Sequence, residues 1–315
     1  MHHLPNSIKN ASTRRPTLVL RAPAKLNLAL AVGPPRATDG FHPICSWMST
    51  VALADDLDIT RLEDDRLSRF AIVWAEDAPR TSPIDWSITK DLAVRAHALL
   101  EREAGRTLPV QMKLSKRIPV GSGLGGGSSD AAAMLVATRA LFSLPVSDAR
   151  LRELAMSLGS DVAFFLCERT DPAAAGPLAA IVEGFGDRLT PVPTRDGHIV
   201  LLFPDFGCPT GAVYRAFDAL SPAPLREREV RALVEGERLD NASLFNDLAR
   251  AAERVAPCLG PLRERAARTV RKPVHITGSG STMFIVCDSE AEAESVWCRL
   301  GADLPGCVAV TTRLG

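Results

Sequence analysis

Residues 119–133 read PVGSGLGGGSSDAAA, in which five of the seven positions 121–127 are glycine and two serines follow directly. Glycine allows a positive φ and a close approach of the backbone to a ligand, so consecutive N–H groups can converge on phosphate oxygens. The alanine-rich residues after the serines favour a helix from about residue 128 to residue 141, whose N-terminus adds a partial positive charge. We therefore expect a phosphate-binding loop at residues 121–129. A flexible loop capped by Ser128 is the plain alternative, but it does not account for the entropy lost when five glycines are ordered.

Three well-known kinds of phosphate loop do not match this stretch. A Walker A loop needs a Gly-Lys pair, and the chain contains none. Gly121, Gly123 and Gly126 have the spacing of a dinucleotide-binding fingerprint, but residues 115–119 separate them from the preceding strand, and the spacing alone is a weak signal. The glycine loop of protein kinases fails as well, because Ser128 stands at its valine position and no H-R-D or D-F-G follows.

The composition is that of a soluble globular chain of 315 residues, 46% hydrophobic and 23% charged, which at about 150 residues per domain predicts two domains. Thirty-seven basic residues balance thirty-seven acidic ones, so no overall positive field attracts nucleic acid or an anionic membrane. The seven cysteines are scattered without a C-x-x-C pair, which argues against a disulfide framework and structural zinc and favours the cytoplasm. No apolar run reaches the roughly 18 residues of a membrane span.

Strands and helices alternate irregularly along the chain, which predicts an α+β fold. We expect a flexible arm at residues 1–16, an N-terminal domain at 17–190 and, after a turn-rich stretch, a C-terminal domain at 191–315. The apolar patterns predict strands at 18–32 (broken by Pro23), 51–62, 110–114, 198–203, 274–276, 283–287 and 307–312. They predict helices at 91–104, 128–141, 147–158, from 211, 227–235, 244–255 and 290–300.

Two further stretches accompany the glycine loop, namely APAKLNLAL at residues 22–30 and ITGSGSTMF at residues 276–284. Together the three stretches resemble, in order and across nearly the whole chain, the three motifs of the GHMP small-molecule kinases. The resemblance implies an N-terminal nucleotide-binding α/β domain and a C-terminal ferredoxin-like α/β domain, with the active site in the cleft between them. It implies ATP and Mg²⁺ as cofactors, with ATP held by Pro119, Gly121, Ser122, Gly123, Leu124, Gly125, Gly126, Gly127, Ser128, Ser129, Asp91 and Leu92.

The resemblance also assigns the catalytic pair. Asp161, in LGSDVAFFL at residues 158–166, matches the general base of the family, and a carboxylate there can accept the proton of an attacking alcohol. Its plain alternative is a cap for the short segment after it. Lys25 matches the partner lysine, which can orient the carboxylate and offset charge on the phosphoryl group. A lysine in so apolar a strand would be costly to bury without a partner, and Asn27 lies on the same strand face.

Two more stretches, DGFH at residues 39–42 and VEGFGDRL at residues 182–189, resemble the branch of the family whose acceptor alcohol carries a cytidine group. By this resemblance Phe41 and Tyr214 sandwich the pyrimidine and His42 reads its polar edge, although a surface phenylalanine and a core tyrosine are the commoner fates of such residues. The remaining substrate contacts that the resemblance implies are Asn27, Asp130, Gly278 and Ser279.

Four further assignments concern the nucleotide, the metal ion and the third motif. Asp91 occupies a place where the family often has asparagine beside the adenine, so an amide contact is not expected of it. Ser129 is the one Mg²⁺ ligand that we name, since a hydroxyl oxygen can hold a hydrated magnesium ion. Lys113 and Lys116 could approach the nucleotide, but we expect both to be exposed charges. A simple hairpin explains Gly278 and its neighbours nearly as well as a substrate contact.

The partners expected are therefore ATP and a cytidylyl substrate, with no nucleic acid and no membrane, for a monomer or a homodimer. A kinase of the same fold that acts on homoserine or a mevalonate derivative is one alternative, and Phe41 with His42 argues against it because those substrates have no base to stack. A nucleotide-binding regulatory protein without phosphoryl transfer is the other. Intact Lys25, Ser129 and Asp161 argue against that one.

Overall fold

The computed structural model describes residues 15–166, 171–172, 178–220, 223–239 and 241–315. Residues 1–14 of the predicted arm lie outside this part of the chain, as does Cys167. The predicted α+β class is confirmed, because the described residues form two separate sheets with helices packed against them. Within the same residues, no helix combines the length and the apolar character needed to cross a bilayer.

The first sheet contains six strands, most of them antiparallel. They are β1 (Thr17–Val32), β2 (Ile44–Arg61), β3 (Arg69–Trp74), β4 (Val110–Lys116), β5 (Ala179–Gly184) and β6 (Arg188–Pro191). The order is β3-β4-β2-β5-β6, and β1 pairs with β2. The predicted break at Pro23 is wrong: β1 continues through it with a shift of register between Pro23 and Lys25. A proline is tolerated there because it stands at this irregularity of the pairing, and bulges are among the few places in a sheet that accept proline.

Four helices share the core of this first sheet, namely α1 (Leu92–Ala104), α2 (Gly126–Leu141), α3 (Asp148–Leu158) and α4 (Ser160–Phe165). A short 3₁₀ turn (Ile88–Lys90) precedes α1. Polar side chains cap the N-termini of two of these helices, α1 and α3. Asp91 caps α1 and Gly105, at φ 63°, follows it, while the hydroxyl of Ser147 accepts the N–H of Arg150 at the start of α3. Residues 129–138 of α2 are all buried, so this small-residue helix forms the centre of the first core.

The second sheet has four antiparallel strands in the order β10-β7-β9-β8: β7 (His198–Phe203), β8 (His275–Ile276), β9 (Met283–Cys287) and β10 (Val308–Arg313). Between β7 and β8 lie α5 (Thr210–Asp218), α6 (Glu227–Glu235), α7 (Ala249–Val255) and α8 (Leu259–Val270), and α9 (Glu290–Asp303) precedes β10. Strand, helices, two adjacent strands, helix and strand give the β-α-β-β-α-β order of a ferredoxin-like unit. This confirms the predicted architecture of the C-terminal half.

Strands β1 and β2 tie the two halves together. Leu20 of β1 lies in the core of the first sheet, whereas Leu30 lies in a core shared with the second sheet and forms a bridge with Asn246. Val51 of β2 pairs with Leu314 at the end of the chain. The division of the chain near residue 190 stays a prediction, since long strands from the first half also contribute to the second core.

Candidate active site

The glycine loop joins β4 to α2 and has the backbone that its composition predicts. Gly121, Gly123 and Gly125 have φ values of 68°, 79° and 71°, which L side chains rarely adopt. Helix α2 begins at Gly126, two residues before the predicted start, and its first internal bond runs from the N–H of Ser129 to the carbonyl of Gly125 (2.9 Å). The N–H groups of residues 126–128 therefore have no acceptor within the helix and are available to an anion.

A cleft of about 360 Å³ opens beside this loop. Residues 118–128 form one wall, and Trp86, Asp91, Leu92 and Lys116 contribute to the rest. The wall combines free backbone donors with an apolar edge, which suits a nucleotide better than an inorganic anion alone. The two sequence-predicted sets of ATP-binding residues, the loop and Asp91 with Leu92, thus face one cleft.

Lys25, Asn27 and Asp161 lie together at the inner end of the glycine loop. The ammonium of Lys25 donates to Oδ1 of Asn27 (2.8 Å) and lies 3.6 Å from Oδ2 of Asp161. Lys25 is only 4% exposed, so these partners offset the cost of burying its charge. The side chain of Asp161 is 36% exposed, which leaves room for a substrate hydroxyl beside it.

The three sequence motifs converge on Lys25 and Asn27. The backbone N–H of Lys25 donates to the carbonyl of Leu124 (2.9 Å), and the N–H of Asn27 donates to Oγ1 of Thr277 (2.9 Å). A Cβ added to Gly125 would lie 3.2 Å from Cγ of Lys25, and one added to Gly278 would lie 3.4 Å from Oδ1 of Asn27. Both glycines are therefore favoured by their positive φ, and at Gly125 the close approach of Lys25 also leaves little room for a side chain.

Asp161 does not act as the helix cap that was its plain alternative. Helix α4 begins at Ser160 with Gly159 in the capping position, and no side chain caps it. The carboxylate of Asp161 lies in the first turn, where the helix dipole favours a negative charge. A turn from the first sheet supports this helix, because a Cβ on Gly186 would lie only 2.4 Å from Cβ of Ser160.

Two of the residues predicted for the cytidine end, His42 and Tyr214 of α5, form an aromatic group, and Phe41 directly precedes His42 in the chain. The ring of His42 lies 5.0 Å from that of Tyr214, and Phe41 is 64% exposed. Burial raises the pKa of Tyr214 to about 12, and the charge of Asp161 adds to the shift. The phenol therefore stays protonated at neutral pH, and the aromatic group lies close to the catalytic pair.

Both ring nitrogens of His42 already face protein acceptors. Nδ1 lies 2.9 Å from the carbonyl of Gly33, and Nε2 lies 3.2 Å from the carboxylate of Asp218. The ring thus lies against Tyr214 with both nitrogens already paired, and the reading of a base by His42 stays a prediction. Ser279, predicted to touch substrate, pairs its hydroxyl with that of Thr210 (3.0 Å).

Asp130 and Lys116 are placed differently from expectation. Lys116 is buried, not exposed, because its ammonium lies 2.6 Å from carboxylate oxygens of both Asp55 and Asp130. Burial alone would lower the pKa of Lys116, but Asp130 and Asp55 together raise it. Asp130 is 2% exposed and borders the nucleotide cleft, so its placement does not support the predicted contact with the acceptor substrate. Lys113 is exposed, as expected.

Ser128 and Ser129 face different cavities. Ser128 borders the nucleotide cleft, whereas Ser129 is 2% exposed and borders a separate cavity with Pro23 and Phe165. The two serines differ because successive side chains of a helix are rotated by about 100° around its axis, so that neighbours face different sides. The structure places Ser128, not Ser129, at the wall that would meet the phosphates.

Asp91 has a structural role at the edge of the cleft. Its Oδ1 accepts the N–H groups of Ala93 (2.9 Å) and Val94 (3.4 Å), and its Oδ2 accepts Nε1 of Trp86 (3.3 Å). The carboxylate is thus a cap for α1 that also fixes Trp86 against the cleft.

We expect Asp91→Ala to lower the free energy of unfolding by about 1 kcal/mol, the usual cost of a lost N-cap. Asp91→Asn should cost far less, because asparagine caps equally well. Urea denaturation of both variants without nucleotide measures the difference. Equal losses in the two variants would show that the charge of Asp91, and not its capping bonds, matters.

Thr277 and Ser46 belong to the site but were not predicted. Thr277 accepts the N–H of Asn27, and Ser46 accepts the side-chain amide of Asn27 (2.8 Å) and donates to the carbonyl of Ala29 (2.8 Å). Thr277 directly precedes the glycines of the third motif, which is a signal that could have found it. Nothing local to Ser46 marks it, because its contact depends on the pairing of β1 with β2.

Comparison with known proteins identifies the family of this chain. The family model of the GHMP kinases N terminal domain matches residues 91–169. The chain is 38% identical over 297 residues to the 4-diphosphocytidyl-2-C-methyl-D-erythritol kinase of Thermobifida fusca (strain YX), covering 91% of this chain and 92% of the relative. It is 37% identical over 294 residues to the enzyme of the same name from Nocardioides sp. (strain ATCC BAA-499 / JS614), covering 91% and 93%.

Solved structures agree with these relatives. A crystal structure of 4-(cytidine 5'-diphospho)-2C-methyl-D-erythritol kinase superimposes with a TM-score of 0.74 at 32% identity, covering 95% of this chain and 99% of that one. The homoserine kinase of Cytophaga hutchinsonii ATCC 33406 gives a TM-score of 0.67 at 16% identity, covering 98% and 97%. The second likeness concerns the fold alone.

Proposed function

This chain belongs to the GHMP kinases and, within them, to the 4-diphosphocytidyl-2-C-methyl-D-erythritol kinases, and from this premise we propose its reaction. It transfers the γ-phosphoryl group of ATP to the 2-hydroxyl of 4-diphosphocytidyl-2-C-methyl-D-erythritol, a step of the non-mevalonate route to isoprenoid precursors. The observation that carries the proposal is the meeting of Lys25, Asn27 and Asp161 between the glycine loop and the third motif.

The chemistry needs one proton acceptor and good positioning. The substrate oxygen attacks the γ-phosphorus while its proton passes to a carboxylate oxygen of Asp161. A new P–O bond forms, the bond from the γ-phosphorus to the bridging oxygen breaks, and ADP leaves. Lys25 holds the carboxylate in place and offsets charge on the transferred group, and Asn27 in turn holds Lys25.

The glycine loop binds the phosphates of ATP in this proposal. Its free N–H groups and the N-terminus of α2 attract the anion, and Ser128 adds a hydroxyl. Magnesium ordinarily keeps several waters and binds substrate phosphates with one or two protein oxygens, so this donor set fits an ion that arrives with ATP. Bound there, Mg²⁺ would neutralise phosphate charge. Ser128 is the residue that would contact it.

The aromatic group supplies acceptor recognition. Phe41 offers an exposed ring, and Tyr214 lies behind His42 at the same end of the site. Homoserine and mevalonate derivatives carry no base to stack, so this group favours a cytidylyl substrate over theirs. We also propose a cytoplasmic location, in keeping with the free state of all six cysteines in the described residues.

Phosphoryl transfer from ATP to the cytidylyl methylerythritol, followed by NMR of the product, tests the proposed reaction. We expect ADP to form with this acceptor in the presence of Mg²⁺, with the new phosphate on the 2-oxygen. Homoserine and mevalonate, supplied separately, should give only background ADP. Turnover with either of them, or no ADP with any acceptor, would replace the proposal by one of the two alternatives.

We expect Phe41→Ala to raise the KM for the cytidylyl acceptor by roughly 5- to 160-fold, because base stacking on an aromatic ring is worth about 1–3 kcal/mol. The KM for ATP should not change, since Phe41 does not border the nucleotide cleft. Initial rates with each substrate varied in turn measure both constants. Leu67→Ala is the control, because Leu67 is also an exposed apolar side chain (86%). Equal effects on both KM values would contradict a stacking role.

A further inference from the structure

Three charged side chains are buried at the foot of the glycine loop, away from the catalytic pair. Lys116 is 4% exposed, Asp55 0% and Asp130 2%. The ammonium lies 2.6 Å from Oδ2 of each carboxylate, so one cation joins two anions. Such a cluster is expensive to desolvate, and apolar residues of the same shape would often be as stable. Stability alone therefore gives little reason for it to be there.

The cluster connects three elements that lie far apart in the sequence. Asp55 belongs to β2, Lys116 is the last residue of β4 and Asp130 lies one turn inside α2. Oδ1 of Asp55 also accepts the backbone N–H groups of Arg117 and Ile118, the first two residues after β4. The cluster thus fixes the chain just before the glycine loop and just after it.

Packing brings the same two ends together. A Cβ on Gly126, the first residue of α2, would lie 2.8 Å from Cγ2 of Ile118. The two ends of the loop are therefore in contact, and any movement of α2 relative to β4 changes the span that the loop must cross. Lys116 joins these two elements directly through Asp130.

The charges of the cluster do not suit a direct contact with phosphate. Lys116 is already bound by two carboxylates, and the sum of the three formal charges is negative. Oδ1 of Asp130 is buried and has no hydrogen-bond partner among the described residues, and Asp130 borders the nucleotide cleft. A negative group so close to a triphosphate site repels the phosphates and weakens ATP binding. We infer that this repulsion is offset because the same group fixes the geometry of the loop.

We propose that Lys116, Asp55 and Asp130 form a clamp that sets the separation of the two ends of the glycine loop and thereby the affinity for ATP. All three are positioning residues, and none of them touches the transferred group. The inference rests on the proposed function only in that the loop binds ATP. It is independent of which alcohol accepts the phosphate.

Asp130→Leu tests the clamp, because leucine branches at Cγ as aspartate does but cannot hold Lys116. Lys116 keeps its partner Asp55, so the protein should still fold, with a lower free energy of unfolding because leucine is bulkier than the aspartate that it replaces. We expect the Kd for ADP and the KM for ATP to rise about tenfold, the loss of a charge-assisted hydrogen bond. The KM for the acceptor should stay within about twofold. Asp130→Asn retains an oxygen for Lys116 and should restore most of the affinity.

Thr138→Val is the matched control, because Thr138 is buried in the same helix with an unpartnered hydroxyl but lies well beyond the loop. ADP affinity is measured by calorimetry without any acceptor, so a wrong acceptor assignment does not affect it. Unchanged ADP affinity in a folded Asp130→Leu protein would overturn the clamp, as would an equal rise in both KM values. If Asp130→Leu does not fold, Lys116→Arg replaces it. The longer cation should spread the loop ends and raise the KM for ATP alone. An unchanged KM for ATP in this variant would overturn the proposal.

Discussion

Asp161→Asn is expected to lower kcat by about 10³-fold, within the 10²- to 10⁴-fold range of general-base catalysis, while both substrates still bind. Asparagine has the shape of aspartate but cannot accept the proton of the attacking hydroxyl. Lys25 keeps its hydrogen bond to Asn27 (2.8 Å) in the variant, so the rest of the site should remain in place. The loss should therefore appear in turnover and not in affinity.

Steady-state kinetics and calorimetric titration with each substrate separate turnover from affinity in this variant. Asp288→Asn is the control, because the side chain of Asp288 is 91% exposed and its ion pair with Lys272 lies on the surface. This control should retain normal kcat, so that the chemical change from aspartate to asparagine is not itself responsible. Undiminished turnover in Asp161→Asn would refute the assignment of the base.

Gly123→Ala is expected to lower kcat/KM for ATP by at least about 100-fold, the scale of a misplacement of roughly 1 Å in a positioned reactant. Gly123 has φ 79°, and an added Cβ would lie 3.0 Å from the carbonyl of Thr277 and 3.1 Å from that of Gly280. Both are backbone atoms of the third motif, so they cannot move aside as a flexible side chain could. The methyl group would push the glycine loop away from the turn that supports Asn27.

Gly121→Ala separates backbone strain from this close contact. Gly121 has a similar φ of 68°, but nothing lies within 4 Å of an added Cβ. The variant should therefore lose only the few-fold that about 1 kcal/mol of backbone strain costs. Rates at varied ATP concentration measure both variants. Equal losses of kcat/KM at the two positions would mean that backbone strain alone matters. The third motif would then not support the loop, and Gly278 and its neighbours would form only a hairpin turn.

Local rules predicted several parts of the fold closely. The strands His198–Phe203 and Met283–Cys287 and the helix Glu227–Glu235 lie where their apolar periodicity and flanking turns placed them. Several elements were missed, namely β3, β5, β6, α4 and α8. Of these, α4 has only six residues and β5 begins with two alanines, so neither shows a clear pattern. Their existence depends on neighbours that are distant in the sequence.

The sequence alone determined that a glycine-rich loop leads directly into the N-terminus of a helix, because glycine content and helix propensity act within a few residues of chain. The sequence also determined that Lys25 and Asn27 share one face of their strand, because side chains two residues apart in a strand point to the same side. Only the tertiary structure decided that Lys25 meets Asp161 and that Lys116 is buried between Asp55 and Asp130. Those contacts depend on how strands pair and how α2 packs on the sheet, and no spacing along the chain encodes the distance between elements so far apart.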